Sequence, residues 1–347
     1  MDTIIYHITD PDEDYDKIAE AAEVMNNGGL VAFPTDTVYA LGAAITQFDA
    51  IQKLFEVKNR PKDNPMSVLV ARDLDMHMVA DFTAPNAQAA ANFIEMFWPG
   101  PLTLVMKRLS FRVLSEITGG RENIGVRMPD NDIARALIAE VGNPVVAPSA
   151  NISGHPSPTT GQHVIDELNG KVDMILVGPD CKLGIESTIL DISDEHPLIL
   201  RKGPLTRDQL QEACPRAIYE LAEGELEKML KGEEEPDLEE LAPGLKYKHY
   251  QPKASFILYT GAPEACTGAI RSAAKRMEKE GKSVGIIDFM GDAKEAANKF
   301  YLELRRLDEE GKDIIMCAGL PEVGLGGAVM DRMRKASGGE VVNLDRA

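Results

Sequence analysis

YDKIAEAAEVMNNGGLVAFPTDTVYALG, Tyr15 to Gly42, holds the alternation that decides the fold. Ile18, Ala21, Ala22 and Met25 recur at helical spacing, so Tyr15 to Asn27 reads as an amphipathic helix. Gly28-Gly29 is a helix stop. LVAFP, Leu30 to Pro34, is short, apolar and bounded by turn residues, which reads as a buried strand. A helix that delivers the chain to a buried strand is the repeating unit of layered α/β proteins. Outward from this stretch the alternation continues. Strand-like runs are Thr3 to Ile8, Met66 to Val70, Leu102 to Lys107, Ile124 to Met128, Pro144 to Pro148, Met174 to Gly178, Ser187 to Ile192 and Pro197 to Gly203. Helical segments cover Asp49 to Val57, Asn86 to Phe97 and Asp132 to Glu140. The expected fold is a twisted, mixed, open sheet with helices on its faces.

Composition changes near residue 220. Residues 221 to 240 carry nine acidic residues against two lysines, a run that cannot bury itself and reads as a solvated linker. It leads into APGLKYKHYQP, Ala242 to Pro252, whose aromatics, lysines and histidine are unlike linker chemistry. From Ser255 the pattern restarts. Strands are expected at SFILYTG, SVGIIDF and DIIMCAG, and helices at Pro263 to Glu280, Asp292 to Glu310 and Ala328 to Ser337. Those elements predict a small parallel, Rossmann-like α/β domain. The expected division is 1–214, a linker over 215–252, and 253–347.

A net charge of −19 repels a polyanion, so no extended nucleic-acid surface is expected. Cys181, Cys214, Cys266 and Cys317 lie far apart, which suits reduced thiols in a cytoplasmic protein. Acidic residues interrupt the opening segment where a signal peptide would need an apolar run. No apolar run approaches the roughly 20 residues that span a bilayer, so no membrane is expected.

KNRPKDNPM, Lys58 to Met66, places two cations two residues apart before Pro61 and an Asp-Asn-Pro turn. It reads as a stiff loop presenting Lys58 and Arg60 to an anion. The alternative, a solvated turn, loses ground because hydroxyl-rich loops recur at PTDTVYALG and APSANISGHPSPTT. Each of these alone could be a helix cap. Arg127 and Arg201 close strands, where α/β sheets hold ligands, yet each could equally pair with a surface acid. The glycine-rich nucleotide-binding signatures are absent, and GLGGAV, Gly324 to Val329, reads as a flexible loop. Six scattered histidines give little support to a zinc site or a Ser-His-Asp arrangement. The residues therefore point to an α/β protein with a cationic, hydroxyl-lined anion pocket.

Taken together, PTDTVYALG, KNRPKDNPM, ITGGRENIGVRMP, APSANISGHPSPTT, GIESTILD, ILRKG and APGLKYKHYQP resemble the threonylcarbamoyl-AMP synthase family in its two-domain form. This form has a YrdC-like domain, a linker and a smaller C-terminal domain. The resemblance spans nearly the whole chain. It implies that L-threonine, bicarbonate and ATP, with magnesium carried by the nucleotide and no dedicated metal ligands, give threonylcarbamoyl-AMP and pyrophosphate. A partner transferase complex then modifies a tRNA adenosine beside the anticodon. The implied catalytic residues are Lys58 and Arg60. Thr35, Arg127, Ala147 and Ser187 are implied for threonine. Arg60, Asn64, Asn123, Ser149, Asn151, Ser157, Arg201 and Tyr250 are implied for the nucleotide, Tyr250 as part of a lid. The chain departs from the family pattern at Ala40, where glycine is frequent, and at Leu69, where histidine is common. It also departs at Asn123, often threonine, and Lys202, often proline. Two other readings compete: a related carbamoyl-adenylate enzyme with another acceptor, and a non-catalytic RNA-binding module. Threonine-dependent pyrophosphate release separates them.

Overall fold

The computed structural model describes residues 2–82, 87–220 and 250–345. The acidic run, 221–240, and Ala242 to His249 of the expected lid lie outside the described residues. The chain forms two units, described separately. The described residues of the first fall within Met1–Ser153, Pro158–Cys181 and Glu186–Lys246. Those of the second fall within Gly154–Ser157, Lys182–Ile185 and Tyr247–Ala347.

The first unit carries an 11-stranded sheet. Its strands are β1 (Ile4–His7), β2 (Val31–Phe33), β3 (Ala40–Ala44), β4 (Val68–Leu69), β5 (Leu102–Lys107) and β6 (Asn123–Arg127). They continue with β7 (Val145–Val146), β8 (Met174–Val177), β9 (Thr188–Asp191), β10 (Leu198–Arg201) and β11 (Tyr219–Glu220). The order across the sheet is β1-β8-β2-β3-β7-β4-β6-β5-β9-β10-β11. Parallel pairs such as β4–β6 and antiparallel pairs such as β5–β6 make it mixed, as expected. The helices are α1 (Tyr15–Asn26), α2 (Phe48–Lys58), α3 (Ala87–Phe97), α4 (Asp132–Val141), α5 (Gly161–Leu168) and α6 (Arg207–Glu212). Strand β3 begins within PTDTVYALG, which read as a loop, and helix α5 falls where no element was assigned.

Period-two alternation gives the two faces of this sheet different chemistry. Leu41, Ala43, Val68, Val126, Leu104 and Leu190 point to one face and join the largest apolar core. The other face divides. Under α1 and α4 it is apolar: Ala44, Val145 and Leu69 pack with Ile18, Met25, Leu137 and Ile138. Leu69 therefore meets hydrocarbon, and a side chain unable to hydrogen-bond suits its place. Further along the same face, Ser67, Gly125, Thr103 and Ser187 form a polar strip across four neighbouring strands or their ends. A Cβ on Gly125 would lie 3.1 Å from Thr103 Cγ2 and 3.3 Å from Ser67 Oγ. Glycine keeps the strip open.

The second unit has a four-stranded parallel sheet, ordered β13-β14-β12-β15. Its elements are β12 (Ser255–Thr260), α7 (Pro263–Lys279), β13 (Val284–Ile287), α8 (Ala293–Glu309), β14 (Ile314–Ala318), α9 (Leu325–Ser337) and β15 (Val341–Asn343). Helix α9 begins within the glycines that read as a flexible loop. A Cβ at Gly326 would strike the Pro321 carbonyl oxygen, so close packing of the preceding turn requires glycine there. All four cysteines are free and buried. Among the described residues, no helix is long and apolar enough to cross a membrane.

Candidate functional site

Lys58 is not part of a loop: it is the last residue of α2. Asn59 ends the helix in the left-handed conformation (φ 48°), which asparagine tolerates better than most residues. The backbone then turns into Arg60 and Pro61. Lys58 is only 1% exposed. Its Nζ donates to the carbonyl oxygens of Ser149 and Asn151 in short hydrogen bonds. An ammonium has three donors, so one N–H is left for a ligand. Burial, followed by the neighbouring Arg60 charge, holds the Lys58 pKa well below the usual lysine range, and Glu167 opposes that shift. Glu167 also accepts from the Ile152 amide at 2.6 Å, pinning the turn beyond Asn151. It belongs to α5, a helix missing from the sequence reading.

Arg60 fixes its own loop. Its Nε donates to the Asn64 carbonyl at 3.0 Å, and Nη2 donates to Asn64 Oδ1 at 2.8 Å and Pro65 O at 2.6 Å. Asn64 thus supports the arginine directly. The APSAN segment lies against PTDTVYALG by main-chain bonds: Leu41 N to Pro148 O and Ala150 N to Tyr39 O, at 2.9 and 2.8 Å. Ala147 N donates to Ser67 O at 3.0 Å, placing Ala147 beside the polar strip. Neither Ser149 nor Asn151 caps a helix. Asn131, Thr160 and Thr206 do.

Arg127, 6% exposed, ends β6 beneath the PTDT turn. Its Nε donates to Gly100 O at 3.0 Å and its Nη1 to Thr37 Oγ1 at 2.8 Å. Its Nη2 forms a short ion pair with Asp36 Oδ1. The arginine does pair with an acid, but in the interior and within the candidate site. Asp36 Oδ2 is buried without a hydrogen-bond partner. Thr35 Oγ1 donates to Val38 O at 2.6 Å and lies 3.1 Å from Thr37 Oγ1, closing the turn. Asp36 escaped the sequence reading, although its place between two candidate threonines was a usable signal.

The third cluster joins two candidates directly. Arg201 donates to Ser187 O through Nε and Nη2, at 3.1 and 2.9 Å, and through Nη2 to Ser187 Oγ at 3.1 Å. Ser187 Oγ lies 2.8 Å from Thr103 Oγ1. Asn123 occupies the opposite end of β6 from Arg127. There it donates to Ser193 Oγ at 3.0 Å, and Ser193 donates to Asp191 at 2.6 Å. Lys202 pairs with Glu220 at 2.8 Å. Two candidates belong to the second unit. Ser157 is buried there. Tyr250 stacks on Tyr301 with ring centroids 5.3 Å apart and lies under the Arg332 guanidinium, 5.9 Å from Cζ.

Residues 23–203 match a family model described as Telomere recombination, the Sua5/YciO/YrdC group. Residues 205–338 match one described as Threonylcarbamoyl-AMP synthase, C-terminal domain. A threonylcarbamoyl-AMP synthase of Pyrococcus abyssi is 37% identical, covering 99% of this chain and 100% of the relative.

This chain belongs to the threonylcarbamoyl-AMP synthase family.

The Bacillus subtilis synthase is 36% identical, over 94% of each chain. The Schizosaccharomyces pombe synthase is 31% identical, over 94% of this chain and 90% of its own. A crystal structure of Pyrococcus abyssi Sua5 complexed with L-threonine superposes with a TM-score of 0.88, covering 99% of this chain and 100% of that one. As a synthase of this family, the chain is an enzyme that makes threonylcarbamoyl-AMP, a step in tRNA modification.

Proposed function

We propose that the three clusters of the first unit form one reaction site for L-threonine, bicarbonate and ATP. The observation that carries this reading is the buried Lys58 ammonium, held by the Ser149 and Asn151 carbonyls with one N–H to spare. The related Pyrococcus enzyme was crystallised with L-threonine, which supports threonine as the amino-acid substrate. Arg127 is preorganised by Asp36, Thr37 and Gly100, and its planar fork suits the threonine carboxylate. Thr35, Ala147 and Ser187 line the amino-acid side.

The chemistry needs no side-chain nucleophile. The threonine amine adds to the carbon of bicarbonate, and loss of water leaves a carbamate. A carbamate oxygen then attacks the α-phosphorus of ATP. The bond to the bridging oxygen breaks and pyrophosphate leaves. Two anions must approach each other, so fixed positive charge is the main requirement. Lys58 and Arg60 supply it, with Asn64 holding Arg60. Within the first unit, Ser149, Asn151, Arg201 and Asn123 are proposed for the nucleotide.

Among the described residues no three His, Cys, Asp or Glu side chains gather as a metal cage. Magnesium is proposed to ride on the ATP phosphates, keeping most of its water, as this small hard cation often does. It would neutralise charge shared between phosphate oxygens. The product passes to a threonylcarbamoyl transferase complex, and the setting is proposed as the cytoplasm. The test is pyrophosphate release with ATP, magnesium, labelled bicarbonate and L-threonine, each omitted in turn. The proposal expects dependence on all four and label in an adenylate. Release without threonine would instead favour another acceptor.

A further inference from the structure

Within the first unit, Asn123 opens β6 and Arg127 closes it. Alternation puts Asn123, Gly125 and Arg127 on one face of the sheet, with Asn123 roughly 13 Å from Arg127. Along β9, Ser187, Ile189 and Asp191 share that face, and Asp191 is paired with Val105 of β5. Between the polar ends, Val105 and Ile189 pack with Leu200. A nucleoside fits that order of chemistry, with apolar contact for the base and a hydrogen bond for its edge.

Asp191 is 4% exposed, and its Oδ2 is buried without a hydrogen-bond partner. A buried carboxylate left half-satisfied is costly where an aliphatic side chain would fit. Its other oxygen, Oδ1, accepts from Ser193 N at 2.8 Å and from Ser193 Oγ at 2.6 Å. The single hydroxyl hydrogen of Ser193 is therefore committed to Asp191. Towards Asn123, Ser193 Oγ can act only as an acceptor, so the group facing it at 3.0 Å is the Nδ2 amide. This leaves Asn123 Oδ1 turned away, with no partner among the described residues. Asn123 is half-buried, within reach of a ligand. Burial raises the Asp191 pKa against the two Ser193 bonds, and the Asp194 charge adds to the rise. Since Oδ1 already takes two hydrogens, a proton would go to Oδ2. The direction of the chain from Asn123 to Asp191 is the same in either state.

We infer that Asp191, acting through Ser193, is a positioning residue that locks the Asn123 amide with Oδ1 towards the nucleobase, where it accepts from the exocyclic amine of adenine. Guanine carries a carbonyl oxygen at that place, so the same lock sets acceptor against acceptor. The inference rests on the assignment of Asn123 to the nucleotide in the proposed function.

The test compares ATP, purine riboside triphosphate, which lacks the exocyclic amine, and 2′-deoxy-ATP on the full-length protein. Each is measured by kcat/KM and, independently of turnover, by calorimetric binding. The wild type is expected to prefer ATP over the purine analogue by about three- to tenfold, the range of one neutral hydrogen bond. Ser193→Ala and Asp191→Leu should lose most of that preference by weakening ATP, with the purine analogue little changed. Asp191→Asn keeps an acceptor oxygen and should retain it. A merely structural role would weaken both nucleotides alike and leave their ratio at the wild-type value, which would overturn the lock. Loss of preference against 2′-deoxy-ATP instead would place Asn123 on the ribose and overturn the base assignment. Wild-type protein that binds ATP without threonine-dependent pyrophosphate release would sink the reaction proposed above, and the binding ratios would still decide the lock. Wild-type protein that binds no ATP would overturn both. Should Asp191→Leu not fold, the half-buried Ser193→Ala carries the decision.

Discussion

At the residue scale, the central fact is a lysine buried among carbonyls. Its two hydrogen bonds to Ser149 and Asn151 survive deprotonation, since a neutral amine still has two N–H donors. What deprotonation removes is the third donor and the charge, the two things an anionic substrate needs. The folded-state pKa is depressed, so the unfolded chain binds the extra proton over a window reaching up to the ordinary lysine value. Through that window this group makes stability rise with pH while activity falls. We expect the rate to decline on the alkaline side well before free lysine would titrate. A rate–pH profile checks this, and Lys58→Arg should move the decline to higher pH. Lys58→Ala and Arg60→Ala should abolish turnover with circular dichroism unchanged; wild-type rates in a folded double variant would falsify the assignment. Asp36→Ala leaves Arg127 as a buried charge without its carboxylate, which costs about 3–5 kcal/mol in comparable interiors. Urea unfolding measures that loss. The cations were legible in the sequence because lysine and arginine beside prolines stand out. Asp36 was not: its partner is 91 residues away, and nothing local announces a pairing across that distance.

At the scale of elements, apolar runs bounded by turns made most strands readable, and Leu102 to Lys107 begins and ends where expected. The misses have physical causes. Strand β3, ALGAA, is buried at every position, so it shows no alternation. Helix α5, GQHVIDEL, spans barely two turns and offers Val164, Ile165 and Leu168 as its apolar residues, too few to establish a period. Its loss from the reading hid Glu167. Site residues far apart in sequence became neighbours because β4, β6, β5 and β9 lie side by side, an order no motif reveals. The polar strip they form is open to a direct test. Gly125→Val fills the space between Thr103 and Ser67. Overpacking of this kind costs about 1–3 kcal/mol, so a folded but less stable protein is expected. Turnover should fall far more than stability does; comparing melting temperature with kcat/KM checks it. On the apolar half of the same face, Leu137→Ala should cost about 2–5 kcal/mol, because Leu137 is fully buried on the inward side of α4.

For the molecule as a whole, the charge of −19 predicts behaviour opposite to that of a tRNA-binding protein. The product serves tRNA modification, but the enzyme itself should not retard tRNA in a gel at physiological salt and micromolar protein. A salt-sensitive shift would refute that expectation. The two-part organisation was visible as a change of composition near residue 220. The insertion of Gly154–Ser157 and Lys182–Ile185 into the second unit was not, because a segment four residues long carries no pattern of its own.

Strand order also sets a schedule for synthesis. Strand β8 lies between β1 and β2, with Met174 paired to both Ile4 and Val31. Both early strands must wait for it. At roughly 5–20 residues per second, that delay is on the order of 10–30 s after Ile4 is made. During this interval the nascent chain exposes a strand edge that only its own later residues can cover. Shielding by the ribosome or a chaperone would matter most in those seconds, and least once Val177 has emerged.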